Sequence, residues 1–118
     1  MINAIHAIVY TRDADRLRAF FRDVLELPFV DAGHGWLVFA APPAELAAHP
    51  ADADCRHEIY LMCDDVQATA EKLESKGIEL TMPITDQGWG LVTRLKLPAG
   101  DEFGLYQPKH PTAYRPAD

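Results

Sequence analysis

Five histidines, two cysteines and eighteen acidic residues are the groups in this 118-residue chain that can move a proton, attack a carbon or hold a metal. His6 and His57 open two stretches that run alike, each followed seven residues on by an aspartate, Asp13 and Asp64, so that both pairs are offset by 51 residues. Side chains alternate along a strand, so His6, Ile8 and Tyr10 share one face, as do His57, Ile59 and Leu61. A second group lies in Asp86-Gln87-Gly88-Trp89-Gly90, where glycines flank an amide and an indole at a turn. Such a turn brings backbone, Gln87 and Trp89 close to a planar ligand, and Trp36, Phe103 and Tyr106 would add apolar walls. The alternative is a hairpin with a packing tryptophan. Asp13-Asp15 and Asp64-Asp65 read as helix caps at the positive end of the dipole. Cys55 and Cys63 form no Cys-x-x-Cys pair and are too few for a disulfide framework, so both are expected to be reduced, with Cys63 partly buried. No Gly-rich phosphate loop, nucleophile elbow or Cys-His nucleophile arrangement is visible.

The elements that must position these residues follow from periodicity. Ile2 to Tyr10 reads as a strand, and Asp13 caps a helix whose Leu17, Phe20, Phe21, Val24 and Leu25 form one apolar stripe ended by Pro28. Extended pieces are expected at Phe29 to Asp31, at Trp36 to Ala40 after the Gly33-His34-Gly35 turn, and at Glu45 to His49, the last open to a helical turn. Residues 50–56 read as a connection. A strand from His57, a helix with Val66, Ala70 and Leu73 inward and Gly77 at its end, and strands at Leu80 to Thr85, Leu91 to Leu97 and Phe103 to Gln107 complete the second half. The order strand, helix, three strands thus occurs twice. This predicts one α+β domain over 1–118 with a βαβββ module at 1–49, another at 57–108 and an irregular tail at 109–118. Neither module buries both sheet faces alone, whereas two side by side curl into a U-shaped mixed sheet around a cleft, with helices outside.

Composition narrows the partners. Eleven basic against eighteen acidic residues give a formal charge of −7, so a phosphate backbone meets net repulsion and nucleic acid is not an expected partner. No apolar run reaches the roughly 20 residues of a membrane span, and the N-terminal stretch lacks a signal-peptide pattern, so no membrane association and a cytoplasmic location are expected.

The opening HAIVYTRDADRLRAFFRDVLELPF, the second start HEIYLMCDDVQATAEKLESKGIEL and the closing LPAGDEFGLYQP together resemble the vicinal oxygen chelate superfamily, which includes glyoxalase I, bleomycin-resistance proteins, fosfomycin-modifying enzymes and extradiol dioxygenases. The resemblance implies a divalent metal held by histidines and glutamates from the first and last strands, with open positions for two substrate oxygens. His6 and His57 match the strand-one histidines. At the closing strand the resemblance fails, because this chain has Gly104-Leu105-Tyr106 where the family has Glu-Leu. Glu102 lies two residues, or about 6.6 Å, from that position, and Glu45 and His49 are the other carboxylate and imidazole candidates.

Two readings follow. The first is a glyoxalase/bleomycin-resistance-like protein that binds a small, partly aromatic molecule in the cleft through His6, His57, Gln87, Trp89 and Tyr106, without a complete metal site. The alternative is a metal-dependent glyoxalase, lyase or extradiol-dioxygenase-type enzyme. In it His6, His57 and Glu45 or Glu102 hold iron, manganese or zinc. Family members commonly pair, and open sheet edges invite association, so a homodimer is expected.

Overall fold

The computed structural model describes residues 6–45, 47, 50 and 57–112. Its elements in chain order are helix α1 (Ala14–Ala19), continued by a π-helical turn at Phe20–Val24, then strands β1 (Phe29–Asp31), β2 (Leu37–Phe39) and β3 (Tyr60–Met62). Helix α2 (Val66–Ser75) and strands β4 (Thr85–Asp86), β5 (Gly90–Lys96) and β6 (Glu102–Pro108) follow. The fold is α+β. The described strands fall into two sheets rather than one: an antiparallel β1-β2 ribbon, and a four-stranded sheet of order β3-β6-β5-β4 in which only β3 and β6 run parallel.

Both helices begin where a carboxylate meets an orphan backbone donor. Asp13 accepts from the Arg16 N–H and Asp65 from the Ala68 N–H, each at 3.1 Å. The first apolar stripe is broad because the helix widens into its π-helical turn, which carries Phe20 inward while Phe21, Val24 and Leu25 stay half-buried. Its end comes at Glu26, whose φ of 57° leaves the helical region, two residues before Pro28. Helix α2 buries Val66, Ala70 and Leu73 and stops at Lys76, with Gly77 at φ 86° taking the left-handed turn a side chain disfavours.

Both helices lie on the same face of the four-stranded sheet. Val66, Ala70 and Leu73 pack on Leu95 and Leu105, while Leu17 and Phe20 pack on Leu97 and Phe103. Alternation therefore sends Tyr60 and Met62 of β3, Val92 and Arg94 of β5, and Gly104 and Tyr106 of β6 to the opposite face. That face is where a ligand site can form, since the helices leave it uncovered.

Several sequence expectations change. Residues 6–10 carry no regular structure, and Ile8 and Tyr10 are 62% and 88% exposed. A strand needs a hydrogen-bonded neighbour, and none is present for them among the described residues. Residues 1–5 of that stretch lie outside the described residues. Glu45 and Ala47 stand in irregular chain, and Leu46, Ala48 and His49 also fall outside the described residues, so the strand expected from Glu45 to His49 is described at those two positions alone. The strand expected from Leu80 to Thr85 shrinks to a Leu80–Leu95 bridge and β4, because Pro83 has no N–H to donate to a ladder. His57 precedes β3 instead of starting it.

The largest correction concerns the internal repeat. The capping residues are Asp13 and Asp65, so equivalent positions lie 52 residues apart and not 51. His6 then corresponds to Glu58, Ile8 to Tyr60 and Tyr10 to Met62. A one-residue slip reverses every face. Accordingly Leu61, the presumed face-mate of His57, packs under the helices, and Tyr60 takes the open face.

Candidate functional site

Two glycines on neighbouring strands hold the open face together. A Cβ at Gly104 would collide with the Tyr60 ring, and one at Gly90 would come within 2.9 Å of the Tyr106 ring and of the Gln107 carbonyl. Each glycine is thus a notch that an aromatic ring fills, which is the close approach a strand glycine permits. Tyr60, Tyr106 and Trp89 meet edge to face, with centroids 5.7 Å apart for the two tyrosines, 5.9 Å for Tyr60–Trp89 and 5.1 Å for Trp89–Tyr106. Such pairs add about 0.5–1.5 kcal/mol beyond the area they bury. Trp89 remains 40% exposed, so the cluster presents an indole to solvent.

Polar groups rim the rings. The Arg94 guanidinium lies 5.6 Å from the Tyr60 centroid, donates to the Tyr60 hydroxyl at 3.3 Å and stands 3.9 Å from Glu58. Tyr106 Oη donates to Glu45 Oε1 at 3.4 Å and lies 3.3 Å from His110 Nε2. His110 Nδ1 is 2.8 Å from the Pro111 carbonyl, which can only accept, so Nδ1 donates to it. Glu45 thus ties the first half of the chain to the last strand.

The hairpin bearing Trp89 is clasped to the end of β6. Gln87 N–H donates to the Gly90 carbonyl and Lys109 N–H to the Trp89 carbonyl, both at 2.9 Å, while Lys109 Nζ meets Asp86 Oδ2 at 2.8 Å. Gly88 N–H donates to the other Asp86 oxygen at 2.9 Å. The Lys109 ammonium, and then the Gly88 N–H, hold the Asp86 carboxyl below its ordinary value. A depressed carboxylate stabilises the fold above its unfolded pKa of about 3.9 and loses that contribution as pH falls through the folded value. Acidification below about pH 4 is therefore expected to loosen the Trp89 hairpin, read as a shift in tryptophan emission that Asp86→Asn abolishes.

At Arg94, which contacts the Tyr60 ring, lies a cavity of about 290 Å³, lined by Ile8, Val9 and Tyr10 from the first half and by His57, Glu58, Arg94 and Glu102 among others from the second. Among the residues singled out by sequence, Trp89, Tyr106 and Glu45 come together at the rings, and His57 and Glu102 line the cavity. His6 is exposed and does not line it, and Gln87 acts through its backbone in the hairpin. Glu102 accepts from the Thr81 hydroxyl at 3.1 Å. Among the described residues no three His, Cys, Asp or Glu side chains converge so as to hold a metal ion. The ring of Tyr60 takes the space beside Gly104. Cys63 is half-buried, and burial pushes its thiol above the ordinary value, which leaves little thiolate for nucleophilic chemistry at neutral pH.

Tyr60, Glu58, Arg94 and His110 were missed by sequence reasoning. The signal for Tyr60 and Arg94 was present: a glycine inside a strand marks a close neighbour, and Arg94 alternates out of phase with Leu91, Leu95 and Leu97. Glu58 was hidden by the tandem Asp64-Asp65.

The fold has solved counterparts. An antibiotic binding protein, TnmS3 from Streptomyces sp. CB03234, is 21% identical over 92% of this chain and 100% of its own, with a TM-score of 0.64. Lactoylglutathione lyase from Agrobacterium tumefaciens is 20% identical over 90% and 94%, with a TM-score of 0.57. A member of the Glyoxalase/bleomycin resistance protein/dioxygenase superfamily from Sphaerobacter thermophilus DSM 20745 is 21% identical over 90% and 98%, with a TM-score of 0.58. No curated protein matches the chain. Among the described residues no helix is long and apolar enough to cross a membrane. Residues 3–106 match the profile of the family described as Glyoxalase/Bleomycin resistance protein/Dioxygenase superfamily, and the chain belongs to that superfamily.

Proposed function

We propose that this protein binds a small, partly aromatic molecule against the Tyr60–Trp89–Tyr106 wall, in the cleft where Glu45 and the 8–10 segment meet the second half, and that it does so without a metal. One observation carries this reading: at the closing-strand position where the superfamily's metal sites have a carboxylate, this chain has Gly104, with the Tyr60 ring filling the space. The Tyr60 ring carbons that fill this space cannot ligate a divalent ion, whereas three rings with one indole exposed suit a planar ligand. The antibiotic-binding neighbour supports the same reading by fold alone. Two modules at 1–49 and 57–108 joined through 50–56 remain our description of the chain's organisation, with the cytoplasm as its location.

Fragment binding followed by NMR in the presence of EDTA tests the reading. Saturable shifts confined to the indole N–H of Trp89 and the amides near Tyr60, Gly104 and Tyr106 are expected. Binding seen only after adding zinc, manganese or iron(II) would support the enzyme alternative, with His57 and Glu102 at the cavity as its starting ligands.

The reading includes a homodimer. Ile8, Tyr10, Phe29, Val30 and Trp36 are all exposed, and a two-stranded ribbon such as β1-β2 is marginal without further cover. Light scattering is expected to give twice the chain mass, and a monomer at all concentrations would remove this part.

A further inference from the structure

Resting on the reading of the open face as an aromatic-walled site, we propose that Arg94 selects the ligand, and that the ligand is a neutral, two-ring aromatic compound bearing a carbonyl-type oxygen that accepts from the guanidinium. Arg94 projects from β5 directly opposite Gly104, whose missing side chain leaves the Arg94 head beside the Tyr60 ring. It lines the cavity and joins it to the aromatic wall.

The donor count points to an acceptor. A guanidinium has five N–H donors in a planar fork, and charge-assisted bonds are normally about 2.7–2.9 Å. Among the described residues the Arg94 head has the Tyr60 hydroxyl at 3.3 Å and Glu58 at 3.9 Å as polar partners. Both are long. The fork therefore keeps donor capacity toward the cavity, at a side chain only 31% exposed, where a ligand oxygen can replace water.

Charge then removes two ligand classes. Among the described lining residues the carboxylates of Glu58, Asp101 and Glu102 outnumber the Arg94 guanidinium, so an anion approaching Arg94 meets carboxylates around it. A cation is drawn to the carboxylates yet repelled by Arg94 where the rings are. A neutral acceptor suffers neither penalty. Size points the same way: about 290 Å³ lies just below the roughly 300–1,000 Å³ span of small-molecule pockets, which suits a ligand of about two fused rings.

Four bicyclic probes of similar size decide the matter: naphthalene with no acceptor, chromone with a neutral carbonyl, 2-naphthoate as anion and 2-naphthylmethylamine as cation. Their Kd values are measured by NMR titration on the wild-type chain and on Arg94→Met. Chromone is expected to bind the wild type at least tenfold tighter than naphthalene and tighter than either charged probe, as about one good hydrogen bond to a charged donor implies. Arg94→Met should erase the chromone advantage over naphthalene, with the dispersion of its amide spectrum showing that the variant is folded. Should the variant not fold, the wild-type ranking still decides. Chromone binding no tighter than naphthalene, or a charged probe binding tightest, overturns the proposal and leaves the aromatic site standing. If none of the four binds, the aromatic-site reading falls with it.

Discussion

Gly104→Ala is expected to destabilise the protein by about 1–3 kcal/mol, although alanine normally suits a strand interior better than glycine by about 0.5–1 kcal/mol. The sign is set by the Tyr60 ring, which occupies the position of the new methyl group. Gly104 is buried, and its N–H donates to the Ile59 carbonyl at 3.0 Å, so the backbone is held from the same side and the ring must move instead. Moving it breaks the contacts with Trp89 and Tyr106 and the Arg94 hydrogen bond. In a Tyr60→Ala background the same Gly104→Ala substitution should be neutral or stabilising. The coupling read from urea unfolding of the four proteins is then about 1–3 kcal/mol, the span seen for residues in direct contact. Costs that simply add would mean that the ring does not fill the notch.

Removing the exposed wall is expected to have the largest effect on binding. Trp89→Ala takes away the indole that stands edge-on to both tyrosines and remains open to solvent. Burying a large apolar side chain against a ligand contributes about 1.5–3 kcal/mol, so affinity for a bicyclic aromatic probe should fall by roughly tenfold to a hundredfold. Trp36→Ala is the matched control. That indole is also exposed, but it lies under the Arg18 guanidinium at 4.7 Å, just before β2, and makes no ring contact with Tyr60, Trp89 or Tyr106 among the described residues. It should leave the affinity unchanged. Equal losses from both substitutions would indicate nonspecific adsorption to exposed indoles.

Local signals carried much of the fold. The stripe at Leu17 and Phe20, the stripe at Val66, Ala70 and Leu73, the Gly77 stop and the span of β1 were all legible, because each depends on periodicity or one backbone conformation. Pairing was less legible. The segment at 6–10 has strand-like composition, yet a strand exists only with a neighbour, which composition does not supply. The register of the repeat was ambiguous because Asp64 and Asp65 are chemically alike as caps. Only the helix start selects Asp65, and with it Glu58 and Tyr60 in place of His57 and Ile59. Gly104 was readable as a missing ligand, but its use as a seat for Tyr60 depends on the parallel pairing of β3 with β6, which brings together residues 44 positions apart.

The central claim is that the cleft binds its ligand through aromatic rings and without a metal. The most direct test is a calorimetric or NMR titration of one bicyclic aromatic probe into the same preparation twice, once in EDTA and once with saturating zinc or manganese. The same Kd is expected in both, since no carboxylate stands at position 104 and the Tyr60 ring fills that space. Binding that appears only with the metal, or strengthens tenfold or more in its presence, would contradict it.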